Sequence, residues 1–322
     1  ALSNIIYWQG NSDRGENKEA VEFIKGMNKG LKDMHPSIIL AAEDSTAYPK
    51  VTASVEEGGL GFDYKWDMGW MNDTLEYFKI HPYDRRREYH KLTFSMMYFY
   101  SEKFLMPLSH DEVVHGKATI IQKMYGNSYE EKFKQARALY MYMYAHPGKK
   151  LNFMGNEIAQ FREWDEKREQ DWNILEYPMH NKFNRFMRDL NLVYINHPAL
   201  FKDDYKHEGF NWIDCHQEEK CIYTFERMGE NENIIAIFNF SDEYHEGYEI
   251  PMEYNTLEVL MDSSINEYGG DGKTNYRILI EEYIKYYEGG NKNDTNSIIS
   301  SHKKRLLSVD MKPYSAVYFI LK

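Results

Sequence analysis

A chain of 322 residues is longer than one hydrophobic core usually serves, so two domains are the first expectation. Its 51 Asp and Glu outweigh its 39 Lys and Arg to give a formal net charge of −12, which argues against a nucleic-acid partner, whose phosphates call for a basic surface, and favours a neutral one. No apolar run is of membrane-spanning length, the opening residues lack the charged start and cleavage site of an export signal, and Cys215 and Cys221 are too few to staple the chain or form a metal pattern; a soluble protein of the reducing cytoplasm, with no membrane contact, cofactor or metal, is expected.

Residues 2–8 read as the tail of a strand or the loop after it. Ala20, Val21, Ile24, Met27, Asn28 and Leu31 then fall at helical spacing, and His35-Pro36 stops that helix. Residues 37–42 form a continuous apolar run of strand length, with Glu43-Asp44-Ser45-Thr46 at its carboxyl end. Residues 58–67 begin glycine-rich and then alternate as a short strand does. The apolar positions Leu92, Met96, Met97, Phe99 and Tyr100 predict a long helix.

Residues 104–117, FLMPLSHDEVVHGK, are the organising stretch: a buried strand that ends in a polar tip carrying His110, Asp111, Glu112 and His115. Phe133, Ala136, Tyr140, Met143 and Tyr144 make an amphipathic stripe from Tyr129 onward, ended by His146-Pro147-Gly148. Another strand at 150–154 carries Gly155-Asn156-Glu157 at its tip, and Phe183, Phe186, Met187 and Leu190 mark a further helix closed by His197-Pro198. From His207 the pattern turns to short β-rich runs at 210–213, 222–225, 234–238 and 316–321. The polar stretch 283–305 reads as a long surface loop.

Four strands separated by helical connections between 38 and 154 are the signature of parallel βαβ units. A complete eight-stranded barrel takes about 250 residues and four more such units. The fold class expected is therefore α/β: the second half of a (β/α)8 barrel in residues 1–205, followed by an all-β antiparallel sandwich in residues 206–322. In such barrels catalytic side chains collect at the carboxyl ends of the strands, which makes the 110–115 tip a candidate site. The same residues also compose an ordinary loop ion pair or a solvated acidic loop. A helical zinc site fails on spacing, because two histidines five apart diverge by roughly 140° on a helix. Aromatic residues make up 16% of the chain, with 27 Tyr and 6 Trp, and flat rings with a polar handle suit sugar faces as well as cores.

Several long motifs, in order, resemble the glycogen branching enzymes of the α-amylase superfamily: AEDST at 42–46, GLGFDYKWDMGWMNDTL at 59–75, KLTF at 91–94, PLSHDEVVHGK at 107–117 and PGKKLNFMGNEIAQFREW at 147–164. The resemblance runs from residue 1 to about 265 and resumes near 306, with 272–305 fitting it poorly. It implies a 1,4-α-glucan branching activity on glycogen or other α-glucan chains, by a retaining double displacement. Glu43 matches the family's acid/base, Asp111 the carboxylate that stabilises the transition state, and His110 the neighbour that bonds the same sugar. Trp66, Trp70 and His115 are candidate glucan contacts, with a core role equally open for the two tryptophans. Glu157, Trp164 and Trp172 lie in matched stretches where binding and architecture are not separable. The family's nucleophilic Asp, with its Arg two residues earlier, has no counterpart here, so the resemblance implies a carboxyl-terminal portion that is inactive alone. An amylase-type hydrolase and a non-catalytic glucan-binding module are the rival readings.

Overall fold

Each strand of the first sheet enters from a helix or loop and runs the same way as its neighbour, as βαβ connections require. The computed structural model describes the backbone of residues 1–254, 256–287 and 298–321, and their side chains apart from 281–287 and 298–303. After a short turn of helix α1 (Ser3–Ile6), helix α2 (Lys18–Met34) is capped by Asn17, whose side chain accepts from the Ala20 amide. Strands β1 (Ala41–Ala42), β2 (Tyr64–Trp66), β3 (Phe104–Leu108) and β4 (Lys149–Asn152) pair in that order, all parallel. Helix α3 (Met68–Lys79) lies between β2 and β3; α4 (Ile120–Lys123) and α5 (Tyr129–Ala145) lie between β3 and β4; α6 (Pro178–Asn196) follows β4.

Strands β5 (Phe210–Gln217), β6 (Ile222–Met228), β7 (Asn233–Asn239), β8 (His245–Met252), β9 (Leu257–Asp262), β10 (Tyr276–Tyr287), β11 (Ile298–Met311) and β12 (Ser315–Leu321) complete the chain. They form two antiparallel sheets, of order β5-β6-β7-β12-β9 and β10-β11-β8. Side chains alternate across a strand. Thus Ile222, Ile235, Ile237, Val317 and Phe319 face the three-stranded sheet, where Tyr248, Ile250, Leu307 and Val309 meet them. Their neighbours Tyr223, Phe225, Ala236, Phe238 and Tyr318 belong instead to the large core that also takes in α3, α5 and α6. The inner strands β7 and β12 of the five-stranded sheet are buried on both faces, and they accordingly read as nearly continuous apolar runs.

Helix α5 sits between α6 and strands β7 and β12. From Gln135 to Ala145 all its residues are buried, as expected of a helix with partners all round. Buried arginines bind the helical and β parts together through backbone carbonyls: Arg85 donates to Phe240 O at 2.7 Å, Arg137 to Ser263 O at 2.9 Å, and Arg227 to Ala145 O at 2.7 Å. Arg227 also pairs with Asp204 at 2.7 Å, both side chains fully buried.

The α/β barrel segment and the antiparallel sheets agree with the fold class expected from the sequence; the differences are local. The helix expected through Leu92 to Tyr100 is a series of tight turns, Pro82–Lys91, Phe94–Met97 and Phe99–Ser101. Its apolar positions do not share one face: Leu92 and Phe99 are buried, whereas Met97 is 82% exposed. Helix α3 was not expected, although Asp67 caps it by accepting from the Trp70 amide at 2.8 Å and Trp70, Met71, Leu75 and Phe78 are buried along it. The stretch 283–305 is not a loop throughout, since 283–287 and 298–305 lie in paired strands; residues 288–297 fall outside the described residues. Tyr and Ile recurring at 283, 284, 286, 287, 298 and 299 carry the strand preference that the Gly, Asn and Lys between them obscured.

Candidate active site

Ala42 is in register with Lys65, Lys65 with Phe104, and Leu108 with Asn152, so Glu43, Asp67, His110 and Phe153 follow the carboxyl ends of successive strands. Glu43 and Asp111 follow strands two apart in the sheet, roughly 10 Å in the hydrogen-bonding direction. Glu43 is half-buried, and its carbonyl accepts from the Leu2 amide at 2.7 Å. Leu2 belongs with Ile6, Val21, Ile24 and Ala42 to a small apolar cluster beneath the β1 exit. Next to it Asp44 is buried and paired with Lys65 at 3.0 Å, while Lys65 also donates to Thr46 O at 2.7 Å. This ion pair fixes the loop that carries Glu43.

At the β3 exit the strand is wholly buried and the polar tip turns at once. The Ser109 hydroxyl accepts from the Asp111 amide at 3.2 Å, and Glu112 takes both the Ser109 amide at 2.6 Å and its hydroxyl at 2.7 Å. That reciprocal cap commits Glu112 to architecture and leaves His110 and Asp111 facing outward. The His110 ring lies 3.4 Å from Asp111 and packs edge-on against Trp164 with ring centres 6.1 Å apart. Phe153 closes the group, 5.3 Å from Trp164.

His110, Asp111 and His115 line a cleft of about 450 Å³ with Arg162, Glu163 and Trp164. From His115 onward the backbone is left-handed at three positions, with φ of 57° at His115, 76° at Gly116 and 65° at Ala118. For His115 and Ala118 that backbone costs roughly 1–2 kcal/mol each unless neighbours hold it. Two groups hold it. The Glu163 carboxylate accepts from the Gly116 amide at 2.8 Å and the Ala118 amide at 2.7 Å, and Lys123 donates to the carbonyls of Glu112 and Ala118. The two amides draw the Glu163 carboxyl below its ordinary range, and burial lowers Lys123 to about 8.

Trp66 is half-buried and lines a second cleft, of about 610 Å³, with Asp67 and Tyr98. Trp70 does not reach a surface. It is 1% exposed and stacked on Tyr142, so its proposed glucan contact is corrected to a core role, because α3 turns that face inward. Glu43 lines neither of these two clefts. The structure thus groups His110, Asp111 and His115, sets Glu43 and Trp66 further along the same sheet edge, and removes Trp70.

Two residues were missed by sequence reasoning. Glu163 stands inside the quoted FREW stretch, but a side chain that serves distant amides leaves no local pattern. Asp67 is buried at the β2 exit, accepts from the Trp70 amide and the Tyr98 hydroxyl at 2.8 Å each, and leaves Oδ2 without a protein partner. Burial raises it to about 6, Asp73 adding to the effect against the opposing Trp70 amide, Tyr98 and Lys65. Its helix-start position was the available signal.

Residues 212–322 match the family model of the alpha amylase C-terminal all-beta domain. The 1,4-alpha-glucan branching enzyme GlgB of Bacillus cytotoxicus is 44% identical over 282 residues, 87% of this chain and 44% of the relative. That of Bacillus subtilis is 43% identical over 283 residues, 87% of this chain and 45% of the relative. The chain spans less than half the length of these relatives. In fold it is similar to the alpha-amylase from H. orenii, with a TM-score of 0.56 at 13% identity over 95% of this chain and 57% of that one. An Anoxybacillus alpha-amylase gives 0.57 at 14% identity over 94% of this chain and 56% of its own. Over most of its length the chain is thus similar to the 1,4-alpha-glucan branching enzymes, and its residues 212–322 carry an alpha amylase C-terminal all-beta domain.

Proposed function

We propose that these residues form the carboxyl-terminal part of a 1,4-α-glucan branching enzyme, with residues 1–205 lending half of a barrel rim and 206–322 a supporting sandwich. The reading gives Glu43 the acid/base role: it protonates the glycosidic oxygen as a carboxylate attacks the anomeric carbon, then takes the proton of the acceptor's 6-hydroxyl as that oxygen displaces the carboxylate. Asp111 and His110 hold sugar hydroxyls and favour the positive charge that develops on the ring. His115 and Trp66 supply further glucan contact. Carrying the proposal is one observation: Glu43 and the His110–Asp111 pair follow parallel strands at the same end of one sheet.

The attacking carboxylate, in this reading, comes from outside the 322 residues. Supporting it, four acids near the strand ends have other partners: Asp44 has Lys65, Glu112 has Ser109, Glu163 has two amides, and Asp67 has a helix cap. The purified chain is therefore expected to leave amylose unchanged in iodine staining and in reducing ends. Turnover that disappears with Glu43→Gln would refute the missing-partner claim, and release of many reducing ends would favour a hydrolase. Failure of maltoheptaose to bind would remove the glucan reading.

A further inference from the structure

The stretches 107–117 and 147–164 are far apart in sequence, yet Trp164 donates its amide to Val113 O at 3.0 Å and Glu163 receives the amides of Gly116 and Ala118. We propose that Glu163 is a positioning residue, whose carboxylate clamps the left-handed loop 115–118 and so fixes both His115 and the Trp164 ring that backs His110. The inference rests on the glucan reading for its functional consequence, and on geometry alone for the clamp.

Three observations carry it. The amide groups of Gly116 and Ala118 converge on one carboxylate, the arrangement by which a turn of left-handed backbone binds an anion. Here the anion is the protein's own side chain. His115 and Ala118 hold left-handed backbone without being glycine, which persists only where surroundings over-determine it. Finally, the residue after Glu163 is the tryptophan that packs on His110, so one side chain is tied to both His115 and Trp164, which line the cleft. Lys117 extends the same frame inward by donating to Asp111 O at 2.9 Å.

The test compares the unaltered chain with Glu163→Ala and Glu163→Gln by hydrogen exchange and by maltoheptaose titration. In Glu163→Ala the Gly116 and Ala118 amides should exchange about tenfold faster or more, while amides of β3 keep their protection. Glu163→Gln, which retains one acceptor oxygen, should fall between. Maltoheptaose affinity should drop about five- to tenfold in Glu163→Ala and less in Glu163→Gln, with the melting temperature little changed. Equal exchange of the two amides in all three proteins would overturn the clamp. Freed amides with unchanged maltoheptaose affinity would overturn its positioning role. If the unaltered chain binds no maltoheptaose, the glucan reading fails, and the exchange result still decides the clamp.

Discussion

Helix α5 and the loop after β3 carry their polar groups in contrasting ways. Along α5 every side chain from Gln135 to Ala145 is buried, and nearby charges are spent on structure: Arg137 on the Ser263 carbonyl, Arg227 on Asp204 and the Ala145 carbonyl. In the loop, His110 and His115 stay exposed, Asp111 half-exposed, and the backbone is left-handed at three positions. Its committed acids, Glu112 and Glu163, bond the main chain and leave Asp111 with an open flank. Buried charge in the first region specifies how two parts join; partly open charge in the second is available to a ligand.

The largest break in this contrast is at Arg227. Arg227→Met leaves Asp204 buried without its closest partner and should cost about 3–5 kcal/mol in urea unfolding. A loss below about 1 kcal/mol would mean that the pair is not a structural joint.

Asp67 lies between the two regions, buried like a core residue but at the strand end like a site residue. Because burial raises it to about 6, the folded chain holds this proton more tightly than the unfolded chain. Its contribution is favourable at low pH and is lost as pH rises between about 4 and 6, a total of about 3 kcal/mol. Asp67→Asn keeps an acceptor for the Trp70 amide and Tyr98 hydroxyl while removing the buried charge. It should raise stability by about 1–2 kcal/mol at pH 8 and flatten that part of the pH profile. An unchanged slope would assign the effect to other groups.

Much of this contrast was legible in the sequence. Continuous apolar runs at 104–108 and 234–238 announced buried strands, and the switch after Leu108 to Ser, His, Asp and Glu announced a strand end. Helices α2, α5 and α6 followed from their apolar spacing and from the His-Pro pairs after α2, α5 and α6. What escaped was set by tertiary contacts. Trp70 has the composition of a sugar platform, but α3 turns it onto Tyr142. Residues 92–100 have helical spacing, but Ser95 is drawn inward to His146 at 2.9 Å and the chain tightens around it. Glu163 acts on amides more than forty positions away, so no window of neighbouring residues contains both ends of the interaction.

On the proposed reading, the open carboxylate at the β3 exit contacts glucan while the buried charges do not. Titrating maltoheptaose into the unaltered chain and into Asp111→Asn, with unfolding measured on both, tests it most directly. Binding should be saturable and about tenfold weaker in Asp111→Asn, with stability unchanged within about 0.5 kcal/mol. Equal affinity in the two proteins would contradict it.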